Sequence, residues 1–441
     1  MLQTETAIHP HGEENNPKDR PSPARGTGVV HRLRRLYVTA SILLMNVLIW
    51  GILLNLAAYM VLELSAKGDV SSNPLVNRYG AAADRAFPLI YPTLSRPEID
   101  KLLEEMWSRP VAFHPFTLFK ERPYRGKYVN VHPAGFRYSE NQGPWPPSRD
   151  KINIFFFGGS TAFGYGLPDS ETIPSQLQRI LNAKLQSDRV RVYNFGTNSF
   201  YSSQERAYLA ALLAEGHTPD FAVFLDGLNE FFYIENVPKY SEQISELLDV
   251  VVRAKPRPSP LSEFISNTPL IRLFRQIGST GNTQAEHARE ELGNPNVLSE
   301  TEMAYFANRD VIQRVLRTYL ANKAMIEGIA NSFGVRTVFV WQPVPSYNFD
   351  LRRHPFPKDC KKMYSAFGYA EMRKLFEDGA VGPNFLWAAD LQTSAPDPIY
   401  VDMVHYTAPF CRILAEFIAN HIAEDIETSE SVSLSRPSRA Q

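Results

Sequence analysis

The hydrophobic pattern changes character along the chain. From Leu36 to Leu62 the chain runs without one charged residue. That run exceeds the apolar length needed to cross a bilayer. It follows His31–Arg35, HRLRR, and is followed by Glu63, Lys67 and Asp69. The positive-inside rule then predicts one transmembrane anchor over 36–62, with residues 1–35 cytoplasmic and the rest extracytoplasmic in the inner (plasma) membrane. A cleaved signal peptide fits poorly, because the apolar core is too long and no small-x-small site follows.

Beyond the anchor the pattern shortens and alternates. Glu98 to Met106 carries Ile99, Leu102, Leu103 and Met106 at helical spacing. The run Ile154–Phe157 has the length of a fully buried strand, and Gly158-Gly159 ends it. Helical spacing follows over Thr172–Leu185, then strands at Arg189–Asn194 and Phe221–Leu225 flank a helix over Ser203–Leu213. After Asn229 regularity fails until about Glu300, which predicts an inserted cap over 235–300. Ala304–Ile329 reads as a helix, Thr337–Trp341 as a strand, Tyr369–Phe376 as a helix, Phe385–Ala389 as a last short strand and Phe410–Ile422 as the closing helix. Strands alternating with helices predict a mostly parallel sheet covered on both faces.

Composition narrows this little. The chain has 441 residues and a formal net charge of -1, so no global field favours nucleic acid. The polar start, residues 1–35, and the serine-rich tail, residues 426–441, read as disordered. Cys360 and Cys411 have neither disulfide-framework nor zinc-site spacing.

The candidate chemistry sits at predicted strand ends. Ser160 follows Gly158-Gly159 where a strand hands over to a turn and helix, the position at which open α/β sheets bind ligands. GGST is not a P-loop, lacking G-x-x-x-x-G-K-[ST]. Nor is it the G-x-S-x-G elbow, because Ala162 stands at the last glycine position. NFGTNS, Asn194–Ser199, and DGLNE, Asp226–Glu230, leave the next two strands. VDMVHYT, Val401–Thr407, places Asp402 three residues before His405. His132 reads as a packing or surface residue. Arg137 reads as a loop brace or a group reaching the cleft. Arg352, Arg353, His354, Lys361 and Lys362 form a basic loop, either solvated or facing an anionic substrate.

Together, GGSTAFGYG, NFGTNS, DGLNE and DMVHYT resemble, in order, the four blocks of the SGNH hydrolases, the GDSL-like lipase and esterase superfamily. The first block departs from the GDS form by reading GGS, and the third ends in Asn-Glu where Asn-Asp is commoner. The resemblance spans residues 154–407 and implies a flavodoxin-like three-layer α/β/α sandwich. It implies Ser160 as nucleophile, His405 as base, Asp402 as its orienter, and Gly196 and Asn229 as oxyanion donors beside the Ser160 amide. No cofactor is implied. The substrate class is an acyl ester, on an envelope glycan or a lipid. The domains expected are a cytoplasmic start (1–35), the anchor (36–62), a stalk and packing extension (63–124), a catalytic domain (125–425) and a tail. An esterase is the leading expectation. A carbohydrate O-acetyltransferase using the same triad, and a noncatalytic binding module on the same scaffold, compete with it.

Overall fold

The computed structural model describes residues 27–68, 79, 82–252, 264, 268–271, 273–274, 300–357, 360 and 364–435. Most of the predicted disordered start, the end of the tail, most of the cap beyond residue 252, and Lys361 and Lys362 lie outside the described residues. The chain divides into two compact units, Met1–Asp69 with Arg257–Thr283, and Val70–Pro256 with Gln284–Gln441.

In the first unit, helix α1 (Thr27–Gly68) contains the uncharged run. Its part Gly28–Glu63 is long and apolar enough to cross a membrane. Large apolar side chains around it, among them Leu43, Leu48 and Trp50, are exposed. An apolar surface all round a helix is what a core or a bilayer covers, and among the described residues most of this surface is uncovered. Within the run, Asn55 Nδ2 donates to the Gly51 carbonyl at 2.9 Å, so this amide proton is bonded within the helix.

The second unit begins with α2 (Ala83–Ile90) and α3 (Arg96–Trp107). Ser95 and Glu98 form a capping box at the start of α3, and Pro97 tolerates the missing donor there. Its apolar face, Ile99, Leu102, Leu103 and Met106, is buried as its spacing predicts. Two short antiparallel pairs follow, β1 (Val111–His114) with β2 (Leu118–Glu121) and β3 (Tyr124–Arg125) with β4 (Asn130–Val131). Residues upstream of 125 share cores with the sheet: Leu102 with Ile154, and Phe119 with Phe155.

The central sheet is formed by β5 (Ile152–Gly158), β6 (Val190–Asn194), β7 (Phe221–Asp226), β8 (Arg336–Trp341) and β9 (Phe385–Trp387). All its pairs are parallel, in the order β6-β5-β7-β8-β9. The helices between them are α4 (Ser160–Phe163), α5 (Ile173–Lys184), α6 (Ser202–Ala214), α7 (Ser241–Val252), α8 (Glu300–Phe306), α9 (Arg309–Ser332), α10 (Ser365–Glu377) and α11 (Leu391–Ser394), with α12 (Ala408–Ser435) last. Alternate residues of β5 enter opposite layers, as a pleated strand requires. Ile154 and Phe156 pack with α3, α5 and α12, while Phe155 and Phe157 pack with α6, α9 and α10. All four are fully buried, each worth about 1.5–3 kcal/mol of transfer free energy.

Two helices differ from the sequence expectation. The helix predicted over 304–329 is divided, because the Asn308 side chain accepts from Asp310 N at 3.1 Å and caps a new start. The closing helix runs to Ser435, into the stretch expected to be tail. Its buried face, Leu414, Ile418, Ile422 and Ile426, carries helical spacing beyond the predicted end.

Candidate active site

The chain leaves β5 for β6 on one side and returns to β7 on the other. Carboxyl ends of strands at such a reversal open a crevice. Ser160 follows β5 and Asn229 follows β7 at this crevice. Gly158 has φ +148, and a Cβ there would lie 2.9 Å from the Leu225 carbonyl oxygen, so the strand exit admits only glycine. A Cβ on Gly159 would run into Asn229 Nδ2. Ser160 then opens the single turn α4. Its carbonyl accepts from Gly164 N at 2.9 Å and Tyr165 N at 3.1 Å.

Asp402 and His405 are joined directly. His405 Nδ1 lies 2.7 Å from Asp402 Oδ1 and 2.8 Å from Oδ2. Asp402 Oδ1 also accepts from the amides of Val404 at 3.1 Å and His405 at 3.0 Å. A carboxylate can only accept, so it selects the tautomer with the proton on Nδ1 and the lone pair on Nε2. His405 Nε2 is buried and has no hydrogen-bond partner among the described residues, the Ser160 hydroxyl included. The loop is closed by Val401 N on the His405 carbonyl at 2.8 Å and Thr407 N on the Ile399 carbonyl at 2.8 Å.

Two aromatic residues absent from the sequence expectation link this loop to the Ser160 turn. Tyr165 stacks on the imidazole with centroids 5.2 Å apart, and Trp107 meets it edge-on at 5.9 Å. Tyr165 lies within the GGSTAFGYG stretch, but no local pattern announces a ring contact so distant in sequence. Nearby, Arg109 pairs with Glu121 at 3.3 Å, both side chains almost fully buried. Glu121 Oε1 accepts from Asn198 N at 3.2 Å, tying the β1–β2 hairpin to the loop after β6.

That loop departs from the expectation for Gly196. The Gly196 amide donates to Asn194 Oδ1 at 2.9 Å. Asn194 Nδ2 meanwhile donates to the Ala162 and Phe163 carbonyls at 3.1 and 3.2 Å. Asn194 thus braces the Ser160 turn and occupies the Gly196 donor. Its neighbours' amides are used as well: Phe195 on Phe156 O, Thr197 on Gly158 O, Asn198 on Glu121, Phe200 on Thr197 O. Among the described residues, only Ser199 in this run has an amide without a hydrogen bond. Ser199 has φ +65, uncommon for a residue bearing a Cβ. Asn229 Nδ2 donates to the Phe200 carbonyl at 2.6 Å, which leaves its second amide proton.

The remaining candidates are structural here. Arg137 is fully buried and bonds Asp169 and the carbonyls of Phe163, Gly164 and Leu167. It braces the loop after Ser160. His132 stacks on Phe136 at 4.5 Å. His354 stacks on Tyr400 at 4.9 Å, and burial pushes its pKa down to about 4. Arg352 and Arg353 pair with Asp350 and Asp397. Cys360 and Cys411 are buried and are not joined by a disulfide.

No family model and no curated protein matches the chain. Several solved structures of lipolytic enzymes overlap it at low identity. A putative lipolytic protein of the G-D-S-L family from Desulfitobacterium hafniense is 13% identical, covers 61% of this chain and 99% of its own, and has a TM-score of 0.31. A psychrotrophic esterase from Pseudoalteromonas is 13% identical over 63% of this chain and 100% of its own, with a TM-score of 0.33. A lipase/acylhydrolase from Enterococcus faecalis is 15% identical over 62% of this chain and 96% of its own, also at 0.33.

Proposed function

We propose that the protein is a serine ester hydrolase of the SGNH type, acting through an acyl-serine intermediate on a flavodoxin-like three-layer scaffold. The observation that carries this reading is the Asp402–His405 pair, with its buried, unpartnered Nε2 beside the turn that begins at Ser160. A serine hydroxyl needs a neutral base to become a nucleophile near pH 7. Ser160 attacks the ester carbonyl, and its proton passes to His405 Nε2. The imidazolium is stabilised by Asp402. It then returns the proton to the leaving alcohol, and water releases the acid.

The oxyanion meets the Ser160 amide and the free amide proton of Asn229. For the third donor we assign the Ser199 amide in place of Gly196, whose proton is held by Asn194. We further infer that residues 36–62 span the membrane, with the arginines of HRLRR on the cytoplasmic side and the catalytic domain extracytoplasmic. The substrate is an acyl ester of a lipid or an envelope glycan.

The test is incubation of full-length protein with acyl esters, with and without glycan acceptors, and identification of products by mass. A serine-directed fluorophosphonate is expected to label Ser160 and to leave Ser160→Ala unlabelled. Transfer of acyl mass to a glycan in place of free acid would make the protein an O-acyltransferase. Full ester turnover by folded Ser160→Ala would overturn the mechanism.

A further inference from the structure

Glu230 follows the proposed oxyanion donor Asn229 and is buried. Its carboxylate holds both donors at the start of α6: Oε1 accepts from Ser202 N at 2.8 Å and Oε2 from Ser202 Oγ at 2.9 Å. Asn322 Nδ2 on α9 donates to the same hydroxyl at 3.0 Å. Among the described residues, no arginine or lysine pairs with Glu230. Instead Glu205 on α6 and Asp226 at the end of β7 lie close enough for their charges to interact with it or with each other. Burying a carboxyl beside like charges is unfavourable. Packing alone would be served by an uncharged side chain.

The geometry around it gives that carboxyl a task. The β6 loop carries Ser199 and Phe200, and it ends at Ser202. The β7 turn carries Asn229. Asn229 Nδ2 donates to the Phe200 carbonyl, and Ser202 donates twice to Glu230. Further along, Tyr233 bonds Ser199 and stacks on Tyr201 at 5.3 Å, and Ser203 Oγ donates to Asn236 Oδ1 at 2.7 Å. The Glu230 pair is the tie next in sequence to Asn229; without it, the Asn229 bond and the more distant contacts of Tyr233 and Asn236 would set the relative position of the two segments. Oxyanion stabilisation depends on donors held before charge develops.

We propose that Glu230 is a positioning residue for the proposed oxyanion donors, a two-point clamp that fixes the Asn229 turn against the Ser199–Ser202 loop. The inference rests on the serine-esterase reading. Glu230 touches neither substrate nor the reacting atoms; it acts through Asn229.

The test is a double-mutant cycle on the full-length protein, using an activated acyl ester. Glu230→Leu keeps most of the volume and removes both oxygens that meet Ser202. It is expected to lower kcat by about 10- to 100-fold with KM within about twofold, less than the loss from Asn229→Ala. In an Asn229→Ala background the same change is expected to cost less than about twofold, because both act through one donor. Ser202→Ala, which removes only the hydroxyl arm, is expected to show a smaller kcat loss with the same dependence on Asn229, and carries the test if Glu230→Leu does not fold. Equal fold-losses in both backgrounds, or wild-type kcat in Glu230→Leu, would overturn the clamp. If wild-type protein neither turns over esters nor labels at Ser160, the esterase reading fails first and the clamp falls with it.

Discussion

Arg137 gives the most direct test of how the Ser160 turn is held. Its guanidinium is fully buried. Nε donates to Asp169 Oδ1 at 2.8 Å, Nη1 to the Phe163 and Gly164 carbonyls at 2.9 Å each, and Nη2 to the Leu167 carbonyl at 2.6 Å. Arg137→Met keeps most of the apolar stem and removes every donor. It strands the Leu167 carbonyl, leaves the Phe163 and Gly164 carbonyls only their bonds from Asn194 Nδ2 and Leu167 N, and leaves Asp169 without its cation. Leaving a buried polar group unpaired costs about 1–3 kcal/mol, and breaking one side of a buried ion pair about 3–5 kcal/mol. Asp169 is 19% exposed in its side chain, so solvent and Asn130 retain part of its stabilisation. The lower figure, about 3–4 kcal/mol, is therefore expected. For a domain of this size that corresponds to a fall in melting temperature of roughly 4–6 °C. Differential scanning calorimetry of wild type, Arg137→Met, and Arg137→Met with Asp169→Asn measures it. The double variant is expected to recover part of the loss, since no uncompensated carboxylate remains. A melting temperature within about 2 °C of wild type for Arg137→Met would refute the brace.

Four further outcomes follow from the same coordinates. Asn229→Ala is expected to lower kcat by about 10²–10³ with little change in KM, read by steady-state ester hydrolysis. Asp402→Asn is expected to lower kcat by roughly 10³–10⁴, because the imidazole loses its tautomer and its counter-charge; a loss below tenfold would count against the triad. Burial raises the pKa values of Glu205, Asp226 and Glu230, and repulsion from neighbouring carboxylates adds to it at Glu205 and Glu230, so the folded state holds protons that the unfolded chain has released. Their contribution to stability is complete below the unfolded carboxylate pKa of ~4 and declines as pH rises toward and past neutrality; Asp226→Asn is expected to flatten that decline in denaturant melts across pH 5–9. His354 has the opposite sign, its folded pKa lying at about 4 through burial. Its contribution is present above the unfolded value of ~6.5 and is lost as pH falls toward 4, so His354→Gln is expected to be less acid-sensitive than wild type.

The strand that ends at Ser160 was legible because four consecutive apolar residues and two glycines leave few alternatives. The helix after it was legible from spacing, and Thr172 caps it by accepting from Ser175 N at 3.4 Å. What remained hidden depends on contacts distant in sequence. NFGTNS reads as a turn, but which of its amides is free depends on where Asn194 and Glu121 turn their side chains. In the sequence Arg137 reads as either a brace or a cleft residue, and only the carbonyls of Phe163, Gly164 and Leu167 decide between them. Trp107 was invisible as a neighbour of His405, since α3 lies in the stretch expected to precede the catalytic domain.

The placement of His405 has a consequence for the timing of biosynthesis. Ser160 follows directly on the first strand of the sheet, whereas His405 lies about 245 residues later, just before α12, which packs back against α5. At ribosomal rates of about 5–20 residues per second, roughly 10–50 s separate the synthesis of the two. During that interval the nascent chain carries the serine but not its proposed base. A chain interrupted in that interval would therefore be inert toward esters, and the arrival of the final helix would switch the chemistry on.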